Sequence, residues 1–243
     1  MFELSLSDSI ILTILSFFTA MMTSIAGAGG GTVLLAAMLQ FMNPAQAIPV
    51  HGVVQLMSNL SRIWFLRKYL NWDIILKFSI LLPFGIYIGL QIFQNINSEN
   101  IKNLIGFFIL LALVFQNLKN TRNIKISSNV YLLIGFLTGI LNILVGVIAP
   151  LLAVIVRQSI LEKKSIVGTL GFFGFVGNLT KIVGFSFIGF SFYEYFDTFL
   201  MIIPATLIGS RVGQLLLNQI SNKFFTILFQ LILVGLAIRL LFI

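Results

Sequence analysis

The sequence predicts an all-α polytopic membrane protein built as two inverted-topology repeats, each a re-entrant, broken helical hairpin followed by three transmembrane helices. Three observations predict it. The 243 residues are 58% hydrophobic and 9% charged, where a soluble domain carries roughly a quarter charged residues. The apolar runs reach the ~20 residues a helix needs to cross a bilayer. One polar hexad is also written twice, "SNLSRI" at 58–63 and "GNLTKI" at 177–182, each time with a cation and at an offset of 119 residues.

Polar interruptions divide the chain into apolar stretches at 10–26, 31–42, 46–66, 72–93 and 101–118, and again at 130–146, 150–156, 165–188, 196–217 and 223–243. The pieces 31–42 and 150–156 are too short to cross ~30 Å of hydrocarbon as helices. The opening MFELSLSDS carries Glu3 and Asp8 but no cation, unlike the positive start of a signal peptide. With no cysteine in the chain, no disulfide or thiolate metal site can form, and cysteine use says nothing of the redox compartment.

Cations mark the cytoplasmic side of a membrane protein. Arg67 and Lys68 close the third stretch, Lys119, Arg122 and Lys125 fill the centre, Arg157, Lys163 and Lys164 follow the short second-half piece, and Lys223 opens the last stretch. The other connectors hold one cation, Lys102, and three acids, Glu99, Glu194 and Asp197. This placement accounts for the net charge of +8 without a nucleic-acid partner. Trp64, Tyr69 and Trp72 flank the basic turn at 67–68, as interfacial aromatics do. The chain is therefore expected to carry a first repeat over 1–119, a cytoplasmic linker over 120–129 and a second repeat over 130–243, with both termini extracytoplasmic. Each half enters as a hairpin and then crosses an odd number of times, which inverts the second half relative to the first.

At an offset of 119, Phe17, Thr19, Gly27 and Gly52 meet Phe136, Thr138, Gly146 and Gly171, and Asn59 meets Asn178. Ser61 and Arg62 meet Thr180 and Lys181. Apolar matches are cheap in so greasy a chain; matched Thr, Asn, Gly and cations are not. Inverted repeats are a usual construction of secondary transporters, which bind substrate near the midplane between the repeats. One site built from two halves explains the doubled hexad.

"GAGGGT" at 27–32 should break the helix, because glycine tolerates turns and close backbone approach. A second short helix is expected to start near Gly30 or Gly31, its free amides facing the protein centre, where geometry and dipole favour an anion. Gly29, Gly30, Gly31 and Thr32 are thus candidate binding residues; tight helix packing is the alternative, and the run's place at a forced hairpin, echoed in the repeat, favours the site. "GVIAP" at 146–150 should start a matching short helix, with Pro150 in its first turn.

His51, Gln55, Asn59 and Arg62 are spaced by four, four and three, which puts them on one helical face. Gln55, Asn59 and Asn178 lie deepest and are the strongest candidates to bind a substrate. Arg62 and Lys181 sit near helix ends, from which a long side chain can instead snorkel to the interface. His51 is expected near the outer mouth, working or merely structural. All seven acids fall at ends or in loops, so no buried carboxylate relay is present and His51 alone could switch charge near neutral pH. Cations and helix N-termini without acids describe a cavity for a small anion.

The runs "AGAGGGT", "NPAQAIPVHGVVQLMSNLSR" and "GNLTK" resemble the TauE/SafE sulfite-exporter family, over essentially the whole chain. The second-half glycine run departs from the pattern, reduced to Gly146 and Pro150. The resemblance implies a permease of the bacterial plasma membrane that exports sulfite or small organosulfonates, and it carries over to Gly29, Gly30, Gly31, Gln55, Asn59, Arg62, Asn178 and Lys181. An anion channel, or a permease for another small anionic solute, is the alternative. Membrane lipid is a partner, and a homodimer is left open. An enzyme fits poorly. One histidine and no cysteine cannot build a metal site, no cofactor is implied, and Ser58 and His51 lack an orienting acid.

Overall fold

A computed structural model describes residues 5–117, 126–146, 148–217, 230–231 and 234–239. Glu3, Lys119, Arg122, Lys125 and Lys223 lie outside the described residues, as does most of the expected 120–129 linker.

The described chain is helical. α1 (Leu6–Ala26) starts on a Ser5 cap, whose hydroxyl accepts the Asp8 amide, and ends at Gly27, left-handed at φ 84°. There the glycine amide closes back on the Thr23 carbonyl, a common way to stop a helix. α2 (Gly30–Met38) follows from Gly29, at φ 106°. α3 (Pro44–Leu66) begins with a capping box between Asn43 and Gln46 and with a proline in its first turn. α4 (Trp72–Asn95) and α5 (Ser98–Asn117) complete the first half. The second half runs α6 (Val130–Leu144), α7 (Ala149–Ser159), α8 (Lys163–Phe187) and α9 (Phe196–Leu216), the last preceded by a 3-10 turn at Phe192–Tyr195. Residues 234–239 are also helical.

The short pieces are short helices: α2 has 9 residues and α7 has 11, about 14 and 17 Å at 1.5 Å per residue. α1, α4, α8 and the run Phe192–Leu216 are long and apolar enough to cross a membrane. α1 starts at Leu6, four residues before the apolar stretch read from sequence, because Ser5 and Asp8 cap it. α3 has the length, at 23 residues, but Gln46, His51, Gln55, Asn59 and Arg62 lower its hydropathy. The outward faces are apolar: Leu76, Ile80, Phe84 and Tyr87 of α4 are exposed, as are Trp64 and Trp72 near its start. Asp8, Asp73, Glu99 and Asp197 all sit in the first turn of a helix, where the dipole favours them.

α3 packs on α8 at the centre, α1 packs along α9, and α4 packs along α6. The 119-residue offset carries α1 onto α6, α2 onto α7, α3 onto α8 and α4 onto α9. Exchanging the halves therefore turns the α1–α9 pair into the α6–α4 pair and leaves α3–α8 unchanged. Both outer pairs close over glycines, Gly209 against the Phe17 carbonyl and Gly85 against the Phe136 carbonyl, which lets the backbones meet without lipid-filled gaps.

Candidate functional site

A cavity of about 60 Å³ lies between the halves, at the middle of α3 and α8. A single water needs about 10–15 Å³ of such space, so this one suits an ion of a few heavy atoms. Its wall is built in matched pairs from the two halves: Gly27 and Gly146, Asn59 and Asn178, Thr23 and Asn142.

Two helix N-termini reach it. Gly29 and Gly31 come from the start of α2, and Ile148 and Ala149 from the start of α7. The first internal bonds of α2 are those of Thr32 and Val33 back to Gly29. The amides of Gly30 and Gly31 therefore have no intrahelical acceptor. The N-terminus of each helix contributes a partial positive charge of roughly half an electron.

Both hexad cations are buried. Arg62 is 3% exposed and Lys181 0%, so neither snorkels to an interface. Each instead turns to the left-handed glycine that ends the first helix of its own half. Arg62 Nη1 donates to the Gly27 carbonyl at 3.3 Å, and Lys181 Nζ donates to the Gly146 carbonyl at 3.3 Å. Both bonds span 35 residues. Arg62 Nη2 also donates to Asn59 Oδ1, while Lys181 Nζ reaches Asn142 Oδ1 at 3.4 Å. In each half the cation thus ties the glycine after the first helix to the third helix.

The two ends of this arrangement differ. Arg62 lines the cavity and keeps Nε without a partner. Lys181 lies behind the wall, so close to Gly52 that a methyl group there would sit 2.9 Å from Lys181 Cε. No carboxylate is buried among the described residues. The cavity therefore holds a fixed positive charge with neutral partners only, an arrangement that favours an anionic occupant over an empty site.

Of the residues singled out in the sequence, Gly29, Gly31, His51, Gln55, Asn59, Arg62 and Asn178 line this one cavity. Gly30 does not; it packs against the Thr19 carbonyl and the Thr23 hydroxyl. Thr32 faces a separate small apolar space with Leu35, Ile105 and Pro150, its hydroxyl unpartnered. His51 is not at an outer mouth: it is 1% exposed, and Nε2 lies 2.9 Å from the Gly31 carbonyl. It stands seven residues inside α3, about 10 Å along the axis, which already takes it to the level of the α2 N-terminus. Thr23, Thr138 and Asn142 also line the wall and were missed by the helical-face argument. Thr23 and Asn142 are themselves 119 apart, a polar match that a search of the repeat for non-identical pairs would find.

The profile described as sulfite exporter TauE/SafE matches residues 12–240. The chain belongs to this family. No curated protein and no solved structure matched it. A TauE/SafE protein is a membrane transporter, of a family described by sulfite export, and the apolar outer faces of the helices agree with a multi-pass membrane protein. The TauE/SafE motif residues thus fall into two groups here. Some line the cavity, and others, Gly30 and Lys181 among them, brace the hairpins that form it.

Proposed function

We propose that this TauE/SafE protein exports sulfite or a related small sulfur oxyanion or organosulfonate across the bacterial plasma membrane by alternating access. The observation that carries this reading is the buried Arg62 charge, on the wall where two helix N-termini meet, with no carboxylate buried among the described residues. An anion supplies the missing counter-charge, and hydrogen bonds from Gln55, Asn59 and Asn178 orient it. A negative cell interior drives each exported charge outward by about 2.3 kcal/mol per 100 mV, so export needs no coupling ion. The halves stand inverted in the bilayer, with both termini outside, and access alternates as one half rocks against the other.

Gln55→Ala, which leaves the hairpins intact, is expected to weaken sulfite binding by about tenfold, the loss of one hydrogen bond to a charged group. Calorimetry on the purified protein measures it, and unchanged affinity in both Gln55→Ala and Asn59→Ala would reject the site. In proteoliposomes, sulfite flux should saturate and rise steeply with temperature; ohmic single-channel current would make the protein a channel. The chain has no cysteine, so Lys68→Cys and Lys164→Cys report orientation cleanly. Both should react with an impermeant maleimide from the same side of the membrane, and reaction from opposite sides would end the inverted-repeat reading.

A further inference from the structure

His51 has a hydrogen-bonding role that its surroundings define on one side and leave open on the other. Its Nε2 faces the Gly31 carbonyl at 2.9 Å. A carbonyl only accepts, so Nε2 carries the hydrogen, and Nδ1 of the neutral ring is then an acceptor. Nδ1 is buried and meets no donor among the described residues, although its residue lines the cavity. An unsatisfied buried acceptor is costly.

The groups around the ring narrow what can satisfy it. Lys181 approaches from α8 along Gly52, but its ammonium is engaged by Asn142 and Gly146. On α3 itself the next charge is Arg62, eleven residues on and turned toward Gly27. α2 presents the Gly31 carbonyl, already used. No carboxylate is buried near it among the described residues. The Gln55 amide, one turn on along α3, lines the same cavity but makes no bond to Nδ1. The donor that satisfies Nδ1 therefore arrives with the ligand or as water. A fully deprotonated oxyanion offers only lone pairs and would set one of them against Nδ1. An oxyanion that keeps one O–H meets Nδ1 with a donor, while its other oxygens face the start of α2, where Gly31 lines the cavity and its amide has no intrahelical acceptor.

Resting on the anion-export reading above, we propose that the site takes the hydrogen form of its oxyanion, a monoanion with one O–H, and that His51 Nδ1 accepts that hydrogen. For sulfite this is hydrogen sulfite. The proton stays on the ligand, so anion and proton leave together. The second half has Leu170 at the matching position, so this selection is made once, not twice.

The test uses the purified full-length protein and two probes, sulfite and methanesulfonate. Methanesulfonate is a monoanion with three oxygens and no O–H at any working pH. Calorimetric affinity for total sulfite should fall about tenfold per pH unit once sulfite loses its last proton, while methanesulfonate binds more weakly and without pH dependence. His51→Leu should lower sulfite affinity about tenfold, to the methanesulfonate level, and His51→Asn, which restores an acceptor, should recover part of it. Sulfite affinity independent of pH, or equal for both probes, overturns the role of His51 and leaves anion export standing. Failure of the wild-type protein to bind either probe overturns the export reading itself. Equal pH dependence for both probes assigns the titration to the protein and also overturns this inference.

Discussion

Arg62→Gln is expected to lower sulfite affinity by about thirtyfold or more. Removing one partner of a desolvated charge pair costs about 2–5 kcal/mol, and each 1.4 kcal/mol is a factor of ten. Arg62 is the charged side chain on the cavity wall, and the carboxylates of the described chain all lie outside the buried set. Stability of the empty protein should change much less. The substitution removes the bonds to the Gly27 carbonyl and to Asn59, yet it also removes a buried charge that nothing compensates, and these effects oppose each other. Titration calorimetry and a ligand-free melting curve separate the two. Near-wild-type binding by Arg62→Gln would mean that the anion site is elsewhere.

Gly30→Ala should instead attack the fold. A methyl group at Gly30 would fall on the Thr19 carbonyl and the Thr23 hydroxyl. The hydroxyl can rotate away; the carbonyl belongs to the α1 backbone and cannot. Overpacking of this kind costs about 1–3 kcal/mol or more, and the collision with main chain puts Gly30 at the upper end. For a chain of this size about 3 kcal/mol lowers the melting temperature by roughly 10 °C. Gly189 provides the contrast, since it sits at φ 89° with nothing within 4 Å of an added methyl group. Gly189→Ala should cost only the left-handed backbone penalty of about 1–2 kcal/mol. A Gly30→Ala protein that melts like the wild type would show that the α1–α2 hairpin is held more loosely than its packing implies.

Much of the fold was legible in the residues themselves. Hydropathy marks the helices, because lipid requires ~20 apolar residues wherever a backbone crosses it. The short pieces are marked by Gly27–Gly31 and by Pro150, since few other residues end or start a helix inside an apolar run. Their bounds moved by a few residues, as at Leu6 and Pro44, where a cap outside the apolar run recruits polar residues into the first turn. The candidate site was half legible. Helical spacing placed His51, Gln55, Asn59 and Arg62 on one face of α3, and all four reach the cavity. It missed Thr23 and Asn142. Ser16, Thr19 and Thr23 recur at helical spacing on α1, as do Thr138 and Asn142 on α6. Small hydroxyls that bond the backbone of their own helix, as those of α1 do, are common in apolar helices and do not single out a site.

What the sequence determined alone is the membrane class, the two halves at an offset of 119, and the places where each half breaks its helix. These depend on composition and local backbone chemistry, which each segment carries with it. What only the tertiary structure decided is the fate of the two cations and of His51. Helix periodicity says which residues share a face but not what that face meets. Arg62 and Lys181 find carbonyls 35 residues away, and His51 finds one 20 residues away, because glycines let the backbones come within reach.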